Sequence, residues 1–221
     1  MYKYPISKKI IKMKAILFVA LAILVATKTP GIDVSAYQGS INWSSVAGAG
    51  YKFAILRTTT KGGAMDTTFE ANYSGAKNAG LSVSGYHFSY SLSTSEAVSD
   101  ANNLVTKLNG KKFPIYIDLE WSTQGDLGRQ KVTDIAKSFI QTLQGKGYTV
   151  GVYSNTNWYK NYYYPEQLSA LGCKFWIAQY GKNNGVYDES WKPNVGEYIW
   201  QWTSVGSVSG ISGNVDLDMM F

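Results

Sequence analysis

The stretch Phe113-Pro-Ile-Tyr-Ile-Asp-Leu-Glu-Trp121, followed further on by Tyr148-Thr-Val-Gly-Val-Tyr-Ser-Asn155, decides the fold. Both are short, β-branched and aromatic runs of the kind that fill a buried strand. Between them Val132, Ile135, Ala136, Phe139, Ile140 and Leu143 recur at the i, i+3, i+4, i+7 spacing of one buried helical stripe, and Gly145 and Gly147 stop it. Strand, helix, strand predicts a parallel pair joined by a crossover helix. Working outward, β-rich runs recur at 31–35, 53–59, 81–90, 175–180, 198–203 and 215–221, which with the first two makes eight. Helical patterns fit 43–47, 66–79 and 165–171, and a further one through Ala97, Ala101, Leu104, Val105 and Leu108 opens on Ser93 with Glu96 three residues later, a capping box. No helix of ordinary length separates the last three strands. The prediction is an α/β fold: an irregular TIM-like barrel whose helical layer is incomplete toward the C-terminal end.

Asp118 and Glu120 stand one residue apart in the fourth run. Side chains at i and i+2 of a strand point to one face about 6.5–7 Å apart, so both acids are aimed into one space. Two acids in one cleft suit general acid/base chemistry, because different surroundings drive their pKa values apart. A structural ion pair or a metal site would use the same pattern. Closure of the barrel adds to it: the first and eighth strands become neighbours, bringing Asp33 and Asp216 to the mouth that Asp118 and Glu120 face. Four acids in one pocket are hard to explain as packing.

The 221 residues, 45% apolar and 14% aromatic, suffice for one large core, and no linker divides them. Residues 1–30 differ in kind: lysines precede the uninterrupted apolar run Ala15 to Ala26, too short to span a bilayer and well suited to a signal peptide. Met13 offers a second start, and cleavage is expected between Ala26 and Pro30. The domains are therefore a leader at 1–30 and a single barrel at 31–221, exported and then free of stable membrane association, with a secreted or lysosomal or phagosomal destination. Six of the 21 basic residues and none of the 15 acidic ones lie in the leader, so the remainder carries 15 of each. That balance removes the electrostatic argument for a nucleic-acid partner. Cys173 is alone and reads as a buried small hydrophobe; His87 is the one histidine and reads as structural, since no second histidine completes a usual zinc set. No cofactor or metal is expected, and nothing demands more than a monomer. Asn42-Trp-Ser44 and Asn72-Tyr-Ser74 match the glycosylation pattern.

Aromatics accompany the acids at the strand ends: Tyr37, Tyr86, Tyr90, Trp121, Tyr153, Trp158, Trp176, Tyr180, Trp200 and Trp202. Together they suit a groove for sugars, whose C–H faces stack on rings while Tyr O–H and Trp N–H groups bind hydroxyl or amide edges. No phosphate-cradling loop, nucleophile elbow or basic repeat is present. The run Tyr162-Tyr-Tyr164 has no role in this reading.

The chain resembles the β/α-barrel lysozymes, or muramidases, of glycoside hydrolase family 25. The resemblance spans residues 31–221 and rests on Gly31-Ile-Asp-Val-Ser-Ala-Tyr-Gln-Gly39, Gly85-Tyr-His-Phe88, Pro114-Ile-Tyr-Ile-Asp-Leu-Glu120, Gly151-Val-Tyr-Ser-Asn155, Trp176-Ile-Ala178, Trp200-Gln-Trp-Thr-Ser204 and Gly213-Asn-Val-Asp-Leu-Asp218, in that order. It implies a (β/α)5(β)3 barrel that hydrolyses the β-1,4 bond between N-acetylmuramic acid and N-acetylglucosamine in bacterial peptidoglycan. It implies Glu120 as general acid, Asp118 assisting, Asp33 and Asp216 shaping the field, and substrate contacts from Tyr86, Tyr153, Trp176, Tyr180, Tyr37 and Gln201. Retaining, inverting and acetamido-assisted routes stay open at this level.

Two positions depart from the family's commonest pattern: Tyr37, where Trp is frequent, and Asp218, where Asn is frequent. An added carboxyl beside Asp216 raises the pKa of its neighbours, so an acidic pH optimum is expected. A barrel that keeps the groove without turnover is the alternative of another class. A chitin hydrolase is the alternative substrate, only partly matched because position 116 is Tyr where an Asp would be needed.

Overall fold

The structure, a computed structural model, describes residues 28–221; the leader expected at 1–30, apart from its last three residues, lies outside the described residues. Eight strands close into one barrel in sequence order. They are β1 Thr29–Val34, β2 Phe53–Thr59, β3 Ser82–Phe88, β4 Ile115–Asp118, β5 Val150–Asn155, β6 Phe175–Ala178, β7 Ile199–Gly206 and β8 Val215–Met220. The helices are α1 Trp43–Gly48, α2 Phe69–Asn78, α3 Thr94–Leu108, α4 Ser122–Gly125, α5 Arg129–Gly145, α6 Thr156–Asn161 and α7 Pro165–Ser169. Helices follow each of the first five strands, while β6, β7 and β8 have only a short 3-10 turn, Glu189–Trp191, among them. This is the (β/α)5(β)3 arrangement.

Strands β1 to β7 run parallel; β8 alone is antiparallel to both its neighbours, β7 and β1. Reversal matters for the site. The mouth lies at the C-terminal ends of the parallel strands, so β8 contributes its N-terminal end there, and Asp216 reaches the mouth as the second residue of its strand.

The predicted stripes are buried: Val132, Ile135, Ala136, Phe139, Ile140 and Leu143 of α5, and Ala97, Ala101, Leu104 and Leu108 of α3, form the layer between helices and sheet. Each large side chain there contributes about 1.5–3 kcal/mol by leaving water. Ser93 accepts from Glu96 N as the capping box requires, although Glu96 reaches Leu92 N and not Ser93 N. A second cluster, including Phe53, Ile55, Tyr116, Tyr153, Trp176 and Ile199, fills the inside of the barrel below the mouth. Phe53 takes the space of a missing side chain: a Cβ added at Gly31 would collide with its ring.

Three expectations change. First, β1 starts at Thr29, two residues before the expected run. Second, β4 ends at Asp118, so Glu120 lies in the following loop and not on the strand. The sheet register ends at Asp118 against Tyr153, and the chain turns into α4 at Ser122, yet Glu120 still lines the same space as Asp118. Third, Trp200 and Trp202 do not line the acidic mouth. Gln201 points inward, so its neighbours point outward, where Trp200 donates to Gln179 O at 2.8 Å and both rings pack on Tyr187.

The tyrosine run has a packing role. Tyr162 stacks on Trp158 at 4.5 Å, Tyr163 is fully buried and bonded to Ser154 Oγ at 2.8 Å, and Arg129 covers Tyr164 at 4.3 Å. Cys173 is buried and its thiol is pushed up to about 11 by burial. Asn42 caps α1 through Ser45 N, and Asn72 is buried within α2, which withholds it from a glycosylating enzyme in the folded state.

Candidate active site

At the C-terminal mouth a cavity of about 340 Å³ is lined by all ten residues singled out from sequence: Asp33, Tyr37, Tyr86, Asp118, Glu120, Tyr153, Trp176, Tyr180, Gln201 and Asp216. Seven of them arrive by strand alternation, while Tyr37 comes from the 3-10 turn Ala36–Gln38 and Glu120 and Tyr180 from the loops after β4 and β6. Asp33 and Asp216 are register partners across β1 and β8, Gln201 pairs Asp218 across β7 and β8, and Phe88 and Asp118 pair across β3 and β4. Paired residues share a face, and here that face is the inside. A second cavity of about 470 Å³, lined by Asn155, Asn157, Trp158 and Gln179 among others, shares Glu120, Tyr153 and Tyr180 with the first. Glu120 therefore stands where two halves of one groove meet.

One hydrogen-bond chain holds the middle of the site. Tyr153 and Tyr180 donate their O–H groups to Gln201 Oε1 at 2.8 and 2.7 Å, and Gln201 Nε2 donates to Asp33 Oδ2 at 2.6 Å. The two tyrosines fix which way the Gln201 amide faces, because only its oxygen can accept from both. Beneath it, Trp176 Nε1 donates to Asp218 Oδ1 at 2.8 Å, while Asp218 Oδ2 and Asp118 Oδ1 are buried with no hydrogen-bond partner among the described residues.

Five carboxyls in so small a space cannot all ionise at the ordinary carboxylate pH. Asp33 is held well above its usual range, first by burial and then by Asp216 and Asp218. Asp118 is held well above it by burial, with Glu120 adding to the shift. Glu120 is raised by burial and by Asp216, and Asp216 itself is pushed up to about 6 by burial. Asp218, 1% exposed, is held well above the usual range, chiefly by burial, against the pull of its Trp176 bond. Burial and the neighbouring acids also raise Tyr86 and Tyr153, so both keep their protons and remain donors.

His87 lies outside this cavity. It bonds Thr59 Oγ1 through Nδ1 at 2.6 Å, stacks on Phe139 and is lowered to about 4 by burial, so it is a neutral structural residue. Among the described residues no cluster of three or more His, Cys, Asp or Glu has the arrangement to hold a metal ion, and no helix is long and apolar enough to cross a membrane. Tyr116 is buried inside the barrel against Trp176, where a chitinase-like acid series would need a carboxyl. Sequence reading missed Arg57, Thr59, Thr60 and Lys61, which line the same cavity from β2 and the loop after it. Their signal was weak: a position at the end of a strand or in the loop after it, with no motif around it.

Residues 32–211 match the model of the family described as glycosyl hydrolases family 25. Lysozyme M1 of Streptomyces globisporus is 31% identical over 195 residues, covering 84% of this chain and 65% of that protein. The autolytic lysozyme of Clostridium acetobutylicum is 30% identical over 190 residues, covering 85% of this chain and 54% of that protein. The chain thus spans about half to two thirds of the length of these curated relatives. The crystal structure of the bacterial lysozyme from Streptomyces coelicolor superposes with a TM-score of 0.67 at 28% identity, covering 88% of this chain and 93% of that one.

Proposed function

The chain belongs to glycosyl hydrolase family 25, and from that premise we propose that it is a lysozyme, hydrolysing the β-1,4 bond between N-acetylmuramic acid and N-acetylglucosamine in bacterial peptidoglycan. The observation that carries this reading is the place of Glu120 at the junction of the two cavities, so that a glycan lying along the groove has its scissile bond beside that carboxyl. Burial and the charge of Asp216 keep the Glu120 proton to higher pH than an exposed glutamic acid would. Glu120 gives that proton to the leaving glycosidic oxygen as the C1–O bond breaks.

Asp118 Oδ1 is a buried acceptor without a donor. The N–H of a 2-acetamido group supplies one, and the bond favours the ionised carboxylate that burial alone disfavours. So oriented, the acetamido carbonyl oxygen closes on C1 as the leaving group departs. Water then opens the ring intermediate, losing its proton to the Glu120 carboxylate and restoring the acid. Asp33, locked through Gln201, and Asp216 set the field around the reacting carbon. Tyr86, Tyr153, Trp176, Tyr180 and Tyr37 provide ring faces and O–H groups for the sugar. The same reading has the chain exported by its leader to a secreted or lysosomal or phagosomal setting, working as a monomer without a cofactor, with peptidoglycan as its partner. N-terminal sequencing of the recovered protein tests the export.

The reaction is tested by the clearing of purified peptidoglycan across pH 3 to 8 beside Glu120→Gln. Loss of rate by about 10²–10⁴-fold in that variant, with new reducing ends at muramic acid in the unchanged chain, is the expected result. Binding by both forms with cleavage by neither replaces the hydrolase with a sugar-binding barrel.

A further inference from the structure

Two cations line the acidic cavity, and they differ in what they are bonded to. Arg57 is committed: its Nε lies 3.0 Å from Asp66 Oδ2, and the Asp66 side chain is 1% exposed. Lys61 is not committed. No carboxylate of the described residues lies within salt-bridge distance of its nitrogen. Its ammonium sits instead over two ring faces, 5.2 Å from the Tyr90 centroid and 5.4 Å from that of Trp121, the residue after Glu120.

The loop that carries Lys61 is built to hold it there. Thr60 N donates to Ala64 O at 2.8 Å and Gly63 N to Thr60 O at 2.9 Å. Gly62 and Gly63 take φ of 123° and 72°, a turn that side chains with a Cβ rarely adopt. Asn103 Nδ2 on α3 pins the Gly63 carbonyl at 3.0 Å. A lysine laid on aromatic faces keeps N–H donors free, whereas one paired with Glu120 would strip that acid of its proton.

We propose that Lys61 receives a carboxylate carried on the O3 substituent of the muramic sugar, so that this end of the groove takes the muramic residue and discriminates peptidoglycan from glycans that lack an acid. The inference rests on the reading of the chain as a peptidoglycan hydrolase. In intact peptidoglycan the lactyl carboxyl is consumed in the amide bond to the stem peptide, and the free anions are those of the peptide. Where the peptide has been removed, the lactyl carboxylate itself is free. Both present the same chemistry to an ammonium.

The test is a fluorescence titration, read from tryptophans including Trp121 and Trp176, of purified peptide-bearing glycan oligomers into the full chain carrying Glu120→Gln, with and without Lys61→Met. Lys61→Met keeps the apolar stem on the rings and removes the charge. A rise in Kd of about three- to tenfold, the scale of a partly exposed charge-assisted bond, is expected. It should shrink in 0.3 M salt, and Lys61→Arg should recover most of it. The same oligomers after carbodiimide coupling to ammonia carry carboxamides, and on these Lys61→Met should have no further effect. An amidase-stripped strand separates the sources: a loss that appears only there assigns the contact to the freed lactyl carboxylate, and a loss seen only on the peptide-bearing oligomers assigns it to the peptide.

An equal loss on carboxamide oligomers overturns the inference and makes Lys61 a packing residue for Trp121. Unchanged affinity on every oligomer overturns it as well. Turnover by the unchanged chain is read separately. Cleavage with no Lys61 dependence overturns only this inference, and Lys61-dependent binding without cleavage overturns only the hydrolase reading.

Discussion

Asp33 and Asp216 are register partners across the antiparallel pairing of β1 with β8, so the one reversed strand of the barrel sets two carboxyls side by side on its inner face. Asp218 puts a third on that face, as the register partner of Gly31. The consequences for charge, hydrogen bonding and packing on this face are measurable.

Asp216→Asn should narrow the pH range of activity from its alkaline side. Glu120 is raised by burial and then by the Asp216 charge, which develops as Asp216 titrates at about 6. Removing that charge lets Glu120 lose its proton at lower pH, so the alkaline limb of kcat/KM moves down. The unchanged chain should have its maximum below neutrality. A limb that stays in place in the variant would show that the Asp216 charge does not act on Glu120.

Asp218→Asn should stabilise the fold at pH 8 by about 1–3 kcal/mol, the scale of relieving one buried unsatisfied group, and do little at pH 4.5. The sign follows from the raised native pKa of Asp218. Native protein binds the proton more tightly than the unfolded chain, so the contribution of this group is favourable below the unfolded value near 3.8 and is lost as pH rises through the native one. An asparagine keeps the oxygen that accepts from Trp176 and never ionises. Urea unfolding at the two pH values checks it, and equal stability gains at both would contradict the linkage.

Gln201→Leu should cost about 2–4 kcal/mol, because Asp33 Oδ2 and the hydroxyls of Tyr153 and Tyr180 lose their shared partner. Gln201→Glu should behave differently. It still accepts from both tyrosines, yet it faces Asp33 with another acid, so its defect should be small at pH 4.5 and grow toward pH 8. Thermal melts of the two variants at both pH values separate lost hydrogen bonds from added charge.

Gly31→Ala should destabilise by about 1–3 kcal/mol through overpacking against Phe53. Combining it with Phe53→Leu should return part of that loss, a coupling that a double-mutant cycle reads directly. Simple additivity of the two would place the strain elsewhere.

Much of this was legible in the sequence because period and punctuation report burial. The α5 stripe, the Ser93 cap and the placing of four acids at one mouth all follow from residue order. Strand direction does not. Alternation reads the same in both senses, and only the short 207–214 link, with no helix in it, hints that β8 turns back on β7. The small helices α4 and α6 also escape. Each is too short to repeat an apolar period, and α6 is announced only by Asn155, whose side chain accepts from Trp158 N. Glu120 reads as strand because the alternation of Asp118 and Glu120 runs on past the last paired residue. Lys61 was missed since its partners, Tyr90 and Trp121, come from two other loops.

The seam between β1 and β8 also orders events in time. Thr29 pairs with Met220 across nearly the whole length of the chain, and Asp33 meets Asp216 only when that pairing forms. Contacts of such long sequence separation cost the most loop-closure entropy. A polypeptide leaving the ribosome from its N-terminal end therefore carries Asp118 and Glu120 long before the strand that completes their pocket exists. The groove is a property of the closed barrel: until β8 pairs with β1, Asp118 and Glu120 face a mouth that lacks Asp216.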